Sequence, residues 1–328
     1  MADQYLSDDE IARARRLLER VDSMFTQRVV GQDDLRRALV AGLLARGHVL
    51  IESVPGLAKT TAAQTLAAAV SGTFHRIQCT PDLMPNDIIG TQIYNYATGE
   101  MTTQLGPVHA NIVLLDEINR SSAKTQSAML EAMAEGQVTV EGNRFPLPRP
   151  FHVIATSNPI EYEGTYALPE AQLDRFMVRL AVGYPVPEDE ARIILDRVRR
   201  QSPDASVEPV VDGEGLRAIQ AAVERIHVDP DVARYCVALA RGTRDASNVS
   251  VGASPRGSQS LVLLGRALAA LDGRDYVRPD DIKRIAEPVL AHRLTLTPQA
   301  WAQGVDPRSV VSSVVAATPV PPTVAAVP

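Results

Sequence analysis

The chain has 328 residues, 45% of them hydrophobic and 22% charged, a globular composition that excludes disorder along its whole length. Its formal net charge of -6 repels phosphate backbones and argues against nucleic acid as the main partner. Cys79 and Cys236 stand far apart, the six histidines are scattered, and no apolar run is long enough for a bilayer, which counts against a disulfide scaffold, a structural zinc site and a membrane span. The N-terminus, Met1-Ala-Asp-Gln-Tyr, has neither the basic nor the apolar segment of a signal peptide, so a cytoplasmic location is expected.

A helix is predicted at the start, with Ser7 as cap, Glu10 at the capping-box position and Leu6 placed to staple onto Ile11. A second is expected over residues 32–46, where Leu35, Leu39 and Leu43 recur at helical spacing. The pattern then changes to short apolar strands. His48-Val-Leu-Ile-Glu52 reads as a buried strand, residues 60–71 as a helix closed by Gly72, and residues 73–78 as another strand. Residues 92–105, centred on Gly99, and residues 137–147, turning at Glu141-Gly-Asn143, predict β-hairpins. Further strands are expected over 111–116, 151–156 and 177–182. Strands alternating with helices imply an α/β core with a parallel sheet covered on both faces.

The composition shifts at Tyr184-Pro-Val-Pro187, which places the end of that core near residue 185. From 188 to about 294 the pattern is helical almost throughout, giving a second, all-α domain over 186–300. Residues 301–328, ending in a run of Ala, Val and Pro almost without charge, read as a flexible extension.

The chemistry begins at Ser53-Val-Pro-Gly-Leu-Ala-Lys-Thr60, a loop between a buried strand and a helix N-terminus. Backbone N–H groups and the positive helix end converge there. Lys59 suits the β- and γ-phosphates of a nucleoside triphosphate, and the Thr60 hydroxyl suits Mg²⁺. The pattern G-x-x-x-x-G-K-[ST] is broken by Ser53 and Ala58, although Gly56 remains inside the loop. Alone, the segment also reads as a Pro-Gly turn before a helix.

A second segment narrows the choice. Ile112-Val-Leu-Leu115 runs into Asp116-Glu117, an apolar strand ending in two acids. Beside a phosphate loop, Asp116 would support the magnesium shell and Glu117 would take a proton from the attacking water. Asn158, after Thr156-Ser157 and before Pro159, is either a plain turn residue or an amide that orients that water.

On these segments the chain resembles the AAA+ ATPases, and within them the MoxR family. The resemblance is carried by Val30-Gly-Gln32, Gly56-Leu-Ala-Lys-Thr60, Gly106-Pro-Val-His-Ala-Asn111, Leu115-Asp-Glu-Ile-Asn-Arg120 and Lys124-Thr-Gln126. It continues through Ala155-Thr-Ser-Asn-Pro159, Leu168-Pro-Glu-Ala-Gln-Leu-Asp-Arg-Phe176 and Gly252-Ala-Ser-Pro-Arg256. Ala58 is usual in this family, whereas Ser53 and His109 depart from it.

The resemblance implies a P-loop αβα sandwich followed by a small helical lid, with residues 92–105 as the helix-2 insert of the branch. It implies ATP and Mg²⁺ as cofactors, with Val30, Gly31, Gln32, Ser53, Val54, Pro55, Gly56, Leu57, Ala58, Lys59, Thr60 and Thr61 around the nucleotide. Thr60 and Asp116 would hold the metal, and Asn158 would be a first sensor. Arg175 would act as an arginine finger on a neighbouring subunit, unless it pairs with Asp174 or Glu170. Arg256 would be a second sensor, in its own subunit or the next.

The implied activity is ATP hydrolysis by a ring, hexameric in this family, that remodels client proteins with a von Willebrand factor A domain partner. Two alternatives remain open from residues alone: a nucleotide-sensing assembly module with little hydrolysis, and a nucleic-acid motor or transcriptional regulator. The acidic charge and the lack of a Gly-Ala-Phe-Thr-Gly-Ala loop oppose the latter.

Overall fold

Helix α1 (Asp8–Arg28) and helix α2 (Asp33–Leu44) lead into strand β1 (Val49–Glu52), helix α3 (Lys59–Ala69) and strand β2 (Phe74–Gln78). This computed structural model describes residues 8–54, 56–97, 99–158, 165–201 and 209–321. Ser7 and Leu6, expected to cap and staple the first helix, lie outside them. After β2 come α4 (Pro85–Ile89), the hairpin β3 (Gly90–Asn95) and β4 (Glu100–Leu105), β5 (Ile112–Asp116) and α5 (Ala123–Glu135). A second hairpin, β6 (Gln137–Val140) and β7 (Asn143–Pro146), precedes β8 (His152–Ser157), α6 (Glu170–Leu173) and β9 (Val178–Ala181).

The sheet order is β2-β5-β8-β1-β9, and every neighbouring pair is parallel. Strand residues alternate between two apolar layers. Val49, Ile51, Ile112, Leu114 and Ile154 join one core with α1, α2 and α3. Leu50, Val113, Leu115, Val153 and Ala155 join the other with α5 and Phe176. Burial on both faces is why these strands read as unbroken apolar runs. Because β2 lies at the far edge, beyond β5, the loop leaving β1 opens beside the C-terminal ends of β8 and β5, where open α/β sheets bind ligands.

The chain continues through α7 (Pro187–Arg200), α8 (Gly213–Glu224), α9 (Pro230–Asp245), β10 (Val249–Val251), α10 (Pro255–Leu271) and α11 (Pro279–Leu290). It ends with β11 (Thr295–Leu296), α12 (Pro298–Ala302) and α13 (Pro307–Ala317). The helical part shares the α2 layer of the core, and Gln220 Nε2 donates to the Leu43 carbonyl at 2.7 Å. None of the described helices is long and apolar enough to cross a membrane.

One expectation is corrected here. Residues 301–317 are not a loose extension. Thr297 and Asp306 cap two short helices whose Pro298 and Pro307 sit in the first turn, where the missing N–H costs nothing. Val310 and Val311 are buried, and α13 packs on α9 and α11. A Cβ at Gly242 would lie 2.6 Å from Val314, so the glycine permits that close approach. Proline and small apolar residues marked the segment as low in complexity, but the prolines start helices and the valines fill a groove.

His48 and His152 lie buried where β1 and β8 begin, with His152 Nδ1 2.7 Å from the Gly47 carbonyl. Burial pushes His48 down to about 4 and His152 to about 3, and His292 well below its ordinary value. The unfolded chain, titrating near 6.5, therefore takes up protons that the fold refuses. Stability should fall as pH drops below about 6.5, by up to about 1.4 kcal/mol per pH unit for each such histidine. Urea midpoints at pH 7.5 and 5 check this, and equal midpoints would contradict neutral burial.

Candidate functional site

The loop after β1 places its two left-handed residues at Gly56, with φ of 87°, and Ala58, with φ of 54°. No described residue lies within 4 Å of a Cβ built on Gly56, so backbone there is open to close approach. Ala58 precedes α3 and offers no side-chain cap, which leaves the first-turn N–H groups for a ligand. Ser53 has no positive φ, so its place never required glycine. Its N–H donates to the Ser157 carbonyl at 3.2 Å, and its buried hydroxyl has no partner among the described residues. Ser53→Gly should therefore keep the rate of phosphate release within about threefold of wild type, as expected of a substitution that breaks no contact. A larger loss would reveal a role for the hydroxyl.

Among the described residues Lys59 Nζ reaches only the carbonyls of Ser53 and Val54, at 3.4 and 3.3 Å. Burial lowers its pKa, while Asp116 and Glu117 pull it back up. Leu57 is buried beneath the loop, and Thr60 and Thr61 are half-buried in the first turn of α3. Val30-Gly31-Gln32 approaches from the side. Gln32 Nε2 donates to the Gly183 carbonyl at 3.0 Å, and a Cβ on Gly31 would meet Asp189 at 2.7 Å. Val182 N–H donates to the Glu52 carbonyl, so this segment stands at the same sheet end as the loop. Pro55 lies outside the described residues.

Asp116 and Glu117 end β5 at that same edge, tied together through Thr156 on β8. Thr156 Oγ1 donates to Asp116 Oδ1 at 2.6 Å and accepts from the Glu117 N–H at 2.8 Å. Arg76 of β2 donates twice to Asp116 Oδ2, at 2.6 and 3.1 Å. Glu117 has φ of 59°, and its Oε2 accepts from Gln78 Nε2 at 3.0 Å and Arg120 Nη1 at 3.2 Å. Asn158 follows β8 directly and is buried. The sheet thus gathers Lys59, Thr60, Asp116, Glu117 and Asn158 at one end.

Arg76, Gln78, Arg120 and Thr156 carry no role in the sequence reading. Arg76 and Gln78 alternate with buried Ile77 on an edge strand, which from sequence is a solvent face. Their use becomes visible only with the pairing of β2 and β5, where Gln78 stands opposite Asp116.

Arg175 and Arg256 are elsewhere. Met177 N–H donates to the His48 carbonyl, so the segment carrying Arg175 lies beside the N-terminal end of β1. Residues 48 to 53 span about 16 Å at strand rise, which separates that segment from the loop. Arg175 Nη1 donates to the Leu130 carbonyl and, among the described residues, forms no ion pair with Asp174 or Glu170. Arg256 stands 3.5 Å from Asp174 on the same side.

The family model of the ATPases associated with various cellular activities (AAA) matches residues 48–178, and the AAA lid domain model matches residues 241–314. The uncharacterized protein YeaC of Bacillus subtilis is 46% identical over 293 residues, covering 89% of this chain and 91% of its own. Chaperone MoxR1 of Mycobacterium tuberculosis is 46% identical over 313 residues, covering 93% and 82%. The crystal structure of a candidate ATPase from Cytophaga hutchinsonii superposes with a TM-score of 0.89 at 38% identity, covering 96% of this chain and 98% of that one.

Proposed function

The chain belongs to the MoxR family of AAA+ ATPases, and from that premise we propose that it binds ATP with magnesium at the loop after β1 and hydrolyses it to remodel client proteins. The observation that carries the reading is the convergence of Lys59, Asp116 and Glu117, with Thr156 joining the two acids.

Lys59, weakly held by two carbonyls, would exchange them for the β- and γ-phosphates. The uncapped start of α3 adds polar capacity that suits an anion. Thr60 and Asp116 offer hard oxygen donors of the kind magnesium takes when substrate phosphates complete its shell. When bound, the ion would neutralise charge on the transferring phosphoryl group. Glu117, fixed at its backbone and at one carboxylate oxygen, would accept the proton of the attacking water, and Asn158 would orient that water.

Arg175 and Arg256, at the other end of the sheet, would serve the site of a neighbouring copy, which makes a head-to-tail ring the working form. The client and a bridging von Willebrand factor A domain protein belong to this proposal on the family relationship alone. Phosphate release by the purified protein with ATP and magnesium tests the central claim. Lys59→Ala should lose nucleotide binding itself. Tight ATP binding with no phosphate release would favour a sensing module.

A further inference from the structure

The residue before Arg175 is gripped from the helical domain. Arg293, in the turn after α11, has a side chain only 1% exposed. Its Nε donates to Asp174 Oδ1 at 2.8 Å, and its Nη2 donates to the Phe176 carbonyl at 2.8 Å and the Asp174 carbonyl at 3.4 Å. Nη1 reaches the carbonyls of Val289 and, at 3.5 Å, Met177. Ser260 Oγ accepts from Nη2 at 3.4 Å, which anchors the group to α10. The same Asp174 receives Ser254 Oγ at 3.3 Å and stands 3.5 Å from Arg256, both at the start of α10.

Desolvating a guanidinium is costly, and a fold that keeps one buried must satisfy its donors. Here the donors go to the Asp174 carboxylate and to backbone on both sides of Arg175, at residues 174, 176 and 177, with Val289, His292 and Ser260 taking the rest. Among the described residues Arg175 itself has only the Leu130 carbonyl to hold its head group. Its direction is therefore set by its backbone, which is held by its own turn at Gln172, by the His48 carbonyl through Met177, and from the helical domain by Arg293, with His292 Nε2 3.0 Å from the Phe176 carbonyl. A lysine could keep the charge but not the planar fork that spans several carbonyls.

We propose that Arg293 is a positioning residue for Arg175, so that the helical domain and the arginine offered to the next subunit move as one piece. This rests on the reading that Arg175 acts on a neighbouring site. Through Asp174 the start of α10, with Arg256, joins the same unit. A shift of the helical domain in one subunit would then alter the charge presented to the nucleotide of the next.

The test uses full-length Arg293→Gln, alone and in mixtures with confirmed subunit exchange. Alone it should bind ATP like wild type while kcat falls roughly a hundredfold, the scale of a misplaced catalytic group. Mixed with Glu117→Gln it should regain activity, because an intact Arg175 then faces an intact Glu117. Mixed with Arg175→Ala it should regain none, and the double variant Arg175→Ala/Arg293→Gln should be no slower than Arg175→Ala. Recovery with Arg175→Ala, or additive losses in the double variant, would overturn the proposal. Should Arg293→Gln fail to fold, Arg293→Lys is read in the same mixtures by the same criteria. Failure of the underlying reading shows separately, as an Arg175→Ala protein that is active alone.

Discussion

Glu117→Gln is expected to reduce phosphate release by about a hundredfold to ten-thousandfold, the usual worth of a positioned general base. The substitution keeps size and removes only the proton acceptor. The residue's backbone stays fixed, because its N–H bond to Thr156 and the left-handed turn after β5 do not involve the side chain. The phosphate cradle at Gly56, Ala58 and Lys59 belongs to another strand's exit and is untouched. ATP affinity should therefore remain within a few-fold of wild type, a pattern that separates lost chemistry from lost binding. Gln78 and Arg120, which now donate to the carboxylate, can still donate to the amide oxygen. Single-turnover phosphate release together with nucleotide titration measures both quantities. Turnover within a few-fold of wild type would assign the base elsewhere.

Arg175→Ala is expected to be inactive alone, with a loss of about a thousandfold or more, the range of arginine fingers supplied between subunits. The physical ground is placement. The arginine stands at the N-terminal end of β1 and the phosphate loop at its C-terminal end, so one copy cannot bring them together without unfolding the strand between. ATP binding should persist. Mixed with Glu117→Gln, the variant should recover part of the activity, because some interfaces pair an intact Glu117 with an intact Arg175. Activity per subunit should also rise with protein concentration as rings form. A fully active monomer, or no recovery despite confirmed subunit exchange, would end the idea of a shared site.

Much of this protein was open to reading before its tertiary structure. Parallel strands buried on both faces are apolar through their middle, so β1, β5 and β8 stand out as apolar runs, and the acids that close β5 are conspicuous against them. The loop into α3 was legible despite its two missing glycines, because a lysine and a threonine opening a helix after such a strand are chemically distinctive. Among the described residues of the loop, Gly56 and Ala58 take left-handed backbone and Ser53 does not, which accounts for the serine at that position.

What chain order could not supply is sideways contact. Arg76 and Gln78 precede Asp116 by some forty positions and become its neighbours only through the register of β2 on β5. Thr156 couples the two acids only because β8 lies against β5. The last helices were misjudged because valine and alanine without charge look like a loose tail until a groove on α9 and α11 buries them. Arg293 carries no role in the sequence reading, yet burial makes it the link between two parts of the chain. Local patterns determine strands, helices and the chemistry of single residues, since those depend on near neighbours. Partnership across the sheet and between domains depends on long-range packing, which tertiary structure alone decides.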